Sequence, residues 1–391
     1  MKPTLLCISL LTALFTIPDS SAADLDLPDP LTSSAGEKIT TAEAWTQKRR
    51  PEVLELFRTN IYGRAPVGRP EDLKFETEET AKGVMDGAAT RKRVKITYRG
   101  PGGEGSIHLI LFVPEKKTKP APCFLLICNR GPENIDPTRA VKMPFWPAEQ
   151  IVARGYAAAA FLNVDVAPDR FDDFKTGVYP IFEKAGAERP PDAWGAISAW
   201  AWGASRVMDY LETDPDIDGK RVAVVGHSRG GKTALWAGAQ DERFAMAVSN
   251  DSGCTGARLI RHEHPGSETI KAINKSFPHW FAANYRRFDD YERDLPVDQH
   301  MLLALMAPRL TYVASANQDQ WADPQGELLS CFYAGPVFQL FHQSTISVQE
   351  LPPPESPLLD GQIGYHLRTG GHGLTEYDWQ RYMDFADRHL K

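Results

Sequence analysis

Gly226-His227-Ser228-Arg229-Gly230 fits G-x-S-x-G, the nucleophile elbow, in which a serine sits on a sharp strand-to-helix turn and glycines let the two elements approach closely. A serine hydroxyl is a weak nucleophile until a base takes its proton and an acid holds that base in the right tautomer, so Ser228 calls for a histidine and a carboxylate elsewhere. Arg229 and Lys232 follow at once. Both fall in the first turn of the expected helix, where the helix dipole disfavours cations. Lys232, four residues after Ser228, shares nearly its face. This placement is read as two cations facing an electron-rich ligand rather than as solvated surface charge.

In a sheet enzyme of this kind the order along the chain is Ser, then Asp or Glu, then His. His372 lies in the turn-rich stretch RTGGHGLTEYDW and is the expected base. His366 stands on a strand, a poorer place for a catalytic group than a loop, and His227 is expected to pack beneath the elbow. Two acids compete to hold the imidazole: Asp319 in NQDQWADP and Asp251 in SNDSG, each just past an apolar strand. Asp319 is preferred, and both are within reach of His372. Asp323, before Pro324, reads as a helix cap. The oxyanion hole needs preformed donors. The Arg229 N–H is one, an N–H from the loop Asn129-Arg130-Gly131 is the second, and the Arg229 guanidinium can add a third interaction.

These residues need a parallel sheet beneath them. An apolar run at 221–225 enters the elbow, and helix formers fill 233–240. Upstream, the segments at 91–100 and 105–114, joined by PGGEG, read as an antiparallel pair. Buried strands are expected at 123–131, 155–165, 244–250, 309–316 and 364–369. Helices are expected at 42–60, with an interruption at Pro51, and at 193–212 and 377–390. Trp194, Trp200 and Trp202 on the second of these are assigned to the core, while residues 254–303 read as loops and short helices over the sheet. A hairpin followed by β–α alternation and G-x-S-x-G is the order of an α/β-hydrolase: a mostly parallel central sheet, helices on both faces, and a site at the strand carboxyl ends.

Residues 1–23 carry one lysine, an apolar core and small residues before Asp24, which reads as a cleaved secretory signal peptide. One catalytic domain over residues 24–391 is expected to follow, exported to the periplasm or beyond. A net charge of −7 and a pI near 5.8 disfavour nucleic acid and anionic membranes as partners. Past the leader, Cys123 and Cys128 lie on opposite faces of one strand and cannot pair, whereas Cys254 and Cys331 form either a disulfide or two buried thiols. Neither C-x-x-C nor a histidine cluster with metal-ligand spacing occurs, so no metal or cofactor is expected. A monomer is expected.

GHSRGGK resembles the G-C/H-S-R-x-G-K signature of the glucuronoyl esterases, carbohydrate esterase family 15. The likeness runs on through SNDSGCTGA, GSETI, INKSFPHWF, SANQDQWADPQGE and GGHGLTEYDW, most of residues 190–391. By that resemblance Ser228 is the nucleophile, His372 the base and Arg229 the oxyanion-stabilising arginine, while Lys232, Glu268 and Trp321 bind the glucuronate hydroxyls and ring. Many members carry a glutamate where this chain has Asp251, and others use an aspartate corresponding to Asp319. The residues agree with such a substrate: Lys232 and Glu268 offer a polyol donors and acceptors, and Trp321 an apolar face for a pyranose. The less specific alternatives are a Glu268 that pairs with Arg258 or Arg261 and a Trp321 in the core. The implied activity is hydrolysis of 4-O-methyl-glucuronate esters such as those joining glucuronoxylan to lignin alcohols. An acetyl xylan esterase with the same triad, or a carbohydrate-binding protein that keeps only the fold, is the alternative.

Overall fold

The computed structural model describes residues 25–391, so the leader expected over residues 1–23 lies outside the described residues. The strands are β1 (Lys74–Gly83), β2 (Ala89–Gly100), β3 (Gly103–Pro114), β4 (Ala121–Cys128), β5 (Ala157–Leu162), β6 (Ile217–His227), β7 (Met246–Asn250), β8 (Leu310–Ala316) and β9 (Ile363–Arg368). They form one sheet in the order β1-β2-β3-β5-β4-β6-β7-β8-β9. From β1 to β5 the neighbours are antiparallel, and from β5 onward every pair is parallel.

The helices that matter below are α1 (Arg50–Phe57), α2 (Ala148–Ala153), α3 (Ala196–Leu211), α4 (Arg229–Gln240), α5 (Pro324–Gln339) and α6 (Glu376–His389). Strands β4 and β6 have helices over both faces and so read as unbroken apolar runs with the side chains alternating between two cores. Leu125, Ile127, Val222 and Val224 join the core that includes Trp194, Trp200, Trp202 and Trp236. Phe124, Leu126, Ala223 and Val225 join the one that includes Trp146 and Trp379. Cys123 and Cys128 fall in different cores, as their spacing requires. Cys254 and Cys331 are both free and buried, which decides between the two sequence alternatives in favour of thiols.

Two elements depart from expectation. Strand β1 is not among the expected strands, since KFETEETAKG has few apolar residues; it is an exposed edge strand, where charge is an asset against edge-to-edge pairing. The break at Pro51 is milder than expected. A π-helical turn at Trp45–Arg49 precedes α1, and Pro51 sits at its start, where a missing N–H costs little.

Candidate active site

One register row crosses the parallel half of the sheet: His227 opposite Asn250, Asn250 opposite Ala314, and Ala314 opposite His366. Each strand leaves this row at its carboxyl end, and the chain just beyond delivers Ser228 from β6, Asp251 from β7, Asp319 from β8 and His372 from β9. The sheet itself therefore gathers residues that are far apart in sequence.

Ser228 has φ 58° and ψ −125°, outside the helix and strand regions, and its N–H donates to Asn250 O at 2.8 Å. Such a conformation costs about 1–3 kcal/mol and persists only where the surroundings enforce it. Gly226 is part of that enforcement. A Cβ there would lie 1.9 Å from Gly230 O, so the strand and α4 could not close to this distance around any other residue. The N–H groups of Arg229 and Gly230 open α4, where no intrahelical acceptor exists for them.

His372 Nδ1 lies 2.6 Å from Asp319 Oδ2, while the imidazole remains partly exposed. With Nδ1 hydrogen on that bond, Nε2 is left as the basic atom. Asp251 is engaged differently: its Oδ2 accepts from Arg368 Nη2 at 3.0 Å and from the Gly373 N–H at 3.1 Å. It is only 1% exposed, and its Oδ1 has no partner among the described residues. Burial raises its pKa well above the usual carboxylate range. The charges of Asp378 and Glu327 push the same way, against the pull of Arg368 and the Gly373 N–H. The donor atoms of Asp251, Asp319 and His372 all lie within 4.8 Å of one another, a spacing that could also suit a metal ion. The Arg368 guanidinium bonded to Asp251 already supplies a cation there.

Arg368 fixes the loop that carries His372. It donates to the carbonyls of Gly371 at 2.9 Å and Gly373 at 2.6 Å while its Nε binds Asp378. His366 is fully buried between Tyr312 Oη at 2.9 Å and Asp378 Oδ1 at 2.8 Å, so it is committed to the core. His227, also buried, takes Asn250 Oδ1 on Nδ1 at 2.6 Å and Arg130 Nη2 on Nε2 at 3.2 Å. Burial first, and then the neighbouring His372, holds its pKa well below the ordinary histidine value. Its ring lies 4.5 Å from that of His372, a floor on which the outer imidazole rests.

The Arg229 guanidinium is held on several sides. Nε is ion-paired with Asp169 Oδ2, Nη2 donates to Asn129 O at 3.3 Å, and Cζ lies 5.8 Å from the Trp280 ring centre. Lys232 is turned inward and is only 3% exposed. Its ammonium donates to Ser252 O at 2.6 Å and Cys254 O at 2.5 Å, with Glu268 Oε2 at 3.5 Å. Glu268 thus faces Lys232; Arg258 reaches only its backbone carbonyl, at 2.7 Å, and Arg261 bonds Asp298 and carbonyls elsewhere. Trp321 is 53% exposed rather than in the core, and its carbonyl accepts the Glu268 N–H at 3.1 Å, which ties the two backbone segments together. Asp323 caps α5 through the Gly326 N–H, as expected, and also binds Arg258 and His262.

Three residues of this neighbourhood went unread in the sequence. Asp169 lies seven residues past β5, beyond a 3-10 turn at Asn163–Asp165, so the strand-end position that marks Asp251 directly after β7 does not mark it. Arg368 is a lone cation ending an apolar strand, and Glu327 a lone acid within an otherwise apolar turn of α5. Glu327 is wholly buried. It ties the strand ends together by accepting from the N–H groups of Ser252 and Gly253 at 3.0 and 2.9 Å and from Ser315 Oγ at 2.6 Å. A serine on a strained elbow, an imidazole held by a carboxylate and a guanidinium at the start of the same helix together can carry nucleophilic acyl transfer.

Residues 104–341 match the family described as glucuronyl esterase, fungi. Carbohydrate esterase MZ0003, from an unknown prokaryotic organism, is 39% identical over 96% of this chain and 92% of its own length. The 4-O-methyl-glucuronoyl methylesterase of Schizophyllum commune is 30% identical over 75% of this chain and 67% of its own. Among solved structures, a glucuronoyl esterase from Solibacter usitatus superposes with a TM-score of 0.88 at 40% identity, covering 96% of this chain and 99% of that one. With fold, family match and relatives in agreement, the chain belongs to the glucuronoyl esterases, carboxylic ester hydrolases built on the α/β-hydrolase fold.

Proposed function

We propose that this protein is a secreted serine esterase that cleaves esters of 4-O-methyl-glucuronate, as found where glucuronoxylan is joined to lignin alcohols. The 2.6 Å Asp319–His372 pair at the strand ends that also present Ser228 carries the reading. Ser228 Oγ attacks the ester carbonyl while His372 Nε2 takes its proton, and Asp319 holds the imidazolium through Nδ1. The negative charge that develops on the carbonyl oxygen is met by the Arg229 N–H, an N–H of the loop at 129–131 and the Arg229 guanidinium. Collapse expels the alcohol, which receives the proton from His372. Water, deprotonated by the same imidazole, then attacks the acyl-serine and frees the uronic acid and Ser228.

The sugar is assigned to the other side of Ser228. The Lys232 ammonium spends its three N–H groups on Ser252 O, Cys254 O and Glu268, so it holds the Glu268 carboxylate that accepts from the sugar hydroxyls, while the exposed Trp321 offers a flat apolar face for the pyranose. The name of the Schizophyllum commune relative supports a methyl-glucuronate ester as substrate. The protein acts as one catalytic domain and as a monomer after its leader is removed. No helix among the described residues is long and apolar enough to cross a membrane.

The test is a substrate comparison with the full enzyme. Hydrolysis of benzyl glucuronate should exceed release of acetate from acetylated xylan by about two orders of magnitude in kcat/KM, the reach of specific sugar contacts. Equal rates, or a preference for the acetylated polymer, would move the reading to an acetyl xylan esterase.

A further inference from the structure

An arginine at the first position of a helix is badly placed. The helix dipole repels it, and at this elbow a second cation lies close by: Arg130 occupies the facing loop with its guanidinium on His227. Burial, and then the charge of Arg229, lowers the pKa of Arg130, so the two guanidiniums sense one another. Left to these forces, the Arg229 side chain would swing toward solvent, away from the serine. In the structure it does not. Its Nε side is closed by Asp169, its Nη2 by the Asn129 carbonyl and one face by Trp280.

Asp169 is built for this task. One oxygen meets Arg229, while the other accepts from Trp280 Nε1 at 2.9 Å and lies 3.1 Å from His279 Nε2. Trp280 is itself clamped, stacked on Phe277 with ring centres 3.8 Å apart and planes 3° from parallel. Burial works against the Asp169 charge, but His279, Arg229 and Trp280 outweigh it and hold the carboxyl below its usual pKa. The carboxylate is thus fixed before Arg229 meets it, and Arg229 is fixed by it.

We infer that Asp169 is the positioning residue of the oxyanion arginine: with Trp280 and His279 behind it, it locks the Arg229 guanidinium against dipole and like-charge repulsion so that the remaining nitrogen faces the developing oxyanion. This rests on the esterase reading given above. Asp169 touches no substrate atom and acts wholly through Arg229, which sets it apart from a residue that merely holds the loop.

That difference is measurable as a double-mutant cycle on benzyl glucuronate with the full enzyme. Asp169→Asn keeps the acceptor for Trp280 but removes the charge. It should lower kcat about tenfold to a hundredfold, the scale of a misaimed oxyanion donor, with KM changed less than about threefold. In an Arg229→Ala background the same substitution should change kcat less than about twofold, because the group it positions is gone. Equal losses in both backgrounds would reduce Asp169 to a structural residue, and wild-type rates in Asp169→Asn would overturn the inference outright. Should Asp169→Asn not fold, Asp169→Glu, which keeps the charge but moves it by one methylene, carries the same cycle. A wild-type enzyme inactive on every uronate ester would instead be a failure of the functional reading.

Discussion

Asp319 and Asp251 end neighbouring strands within reach of one imidazole, yet their surroundings give them different work. Asp319 bonds His372 directly, whereas Asp251 is spent on Arg368 and on the Gly373 N–H, where it steadies the loop that carries His372. Its raised pKa, caused first by burial, also makes it a poor partner for an imidazolium, since a carboxyl that resists ionisation offers little charge. Asp319→Asn should therefore lower kcat/KM on a glucuronate ester about a hundredfold or more, while Asp251→Asn should stay within about tenfold of wild type. Steady-state kinetics of the two variants side by side check this, and a larger loss for Asp251→Asn would reverse the assignment. The sequence preferred Asp319 without deciding. Both aspartates follow apolar strands, and nothing local marks Arg368, more than a hundred positions away, as the cation that claims one of them.

At the scale of elements, α5 joins the two acid-bearing strand ends through one buried side chain. Glu327 bonds the Ser252–Gly253 turn after β7 and Ser315 near the end of β8, and burial pushes its pKa up to about 7. Between the ordinary value of 4.5 and about 7 the folded protein therefore holds a proton that the unfolded chain has released, so this group makes stability fall as pH rises through that window. Glu327→Gln, neutral throughout, lacks that fall. Relative to wild type it should gain on the order of 2–3 kcal/mol in unfolding free energy between pH 4.5 and pH 8. Urea unfolding of both proteins across that range reads the difference directly, because carboxylates shifted the other way, such as Asp323 and Asp378, are common to both. Parallel curves would mean that Glu327 titrates normally. Periodicity alone made the buried elements legible: α3 and α6 lie within one to three residues of their expected ends, and β4 and β6 were plain as apolar runs. Strand β1 was not, because its pairing partner and not its own pattern makes it a strand.

For the whole molecule, the parallel half of the sheet acts as the instrument that converts chain order into a site. Residues 228, 251, 319 and 372 meet because β6, β7, β8 and β9 lie side by side in register, with β4 and β5 bringing the Asn129 and Asp169 loops to the other flank of the elbow. That Ser228 and His372 would end up at neighbouring strand ends was visible from motif and chain order. The inward turn of Lys232 was not, since its partners are the carbonyls of Ser252 and Cys254, which no sequence pattern announces. The central claim is that Ser228 on its strained elbow performs the chemistry. Its most direct test is the rate of benzyl glucuronate hydrolysis by Ser228→Ala beside wild type, at equal concentrations of folded protein. The account predicts a loss of about three orders of magnitude or more, the cost of removing a triad nucleophile. Activity within about tenfold of wild type would contradict it.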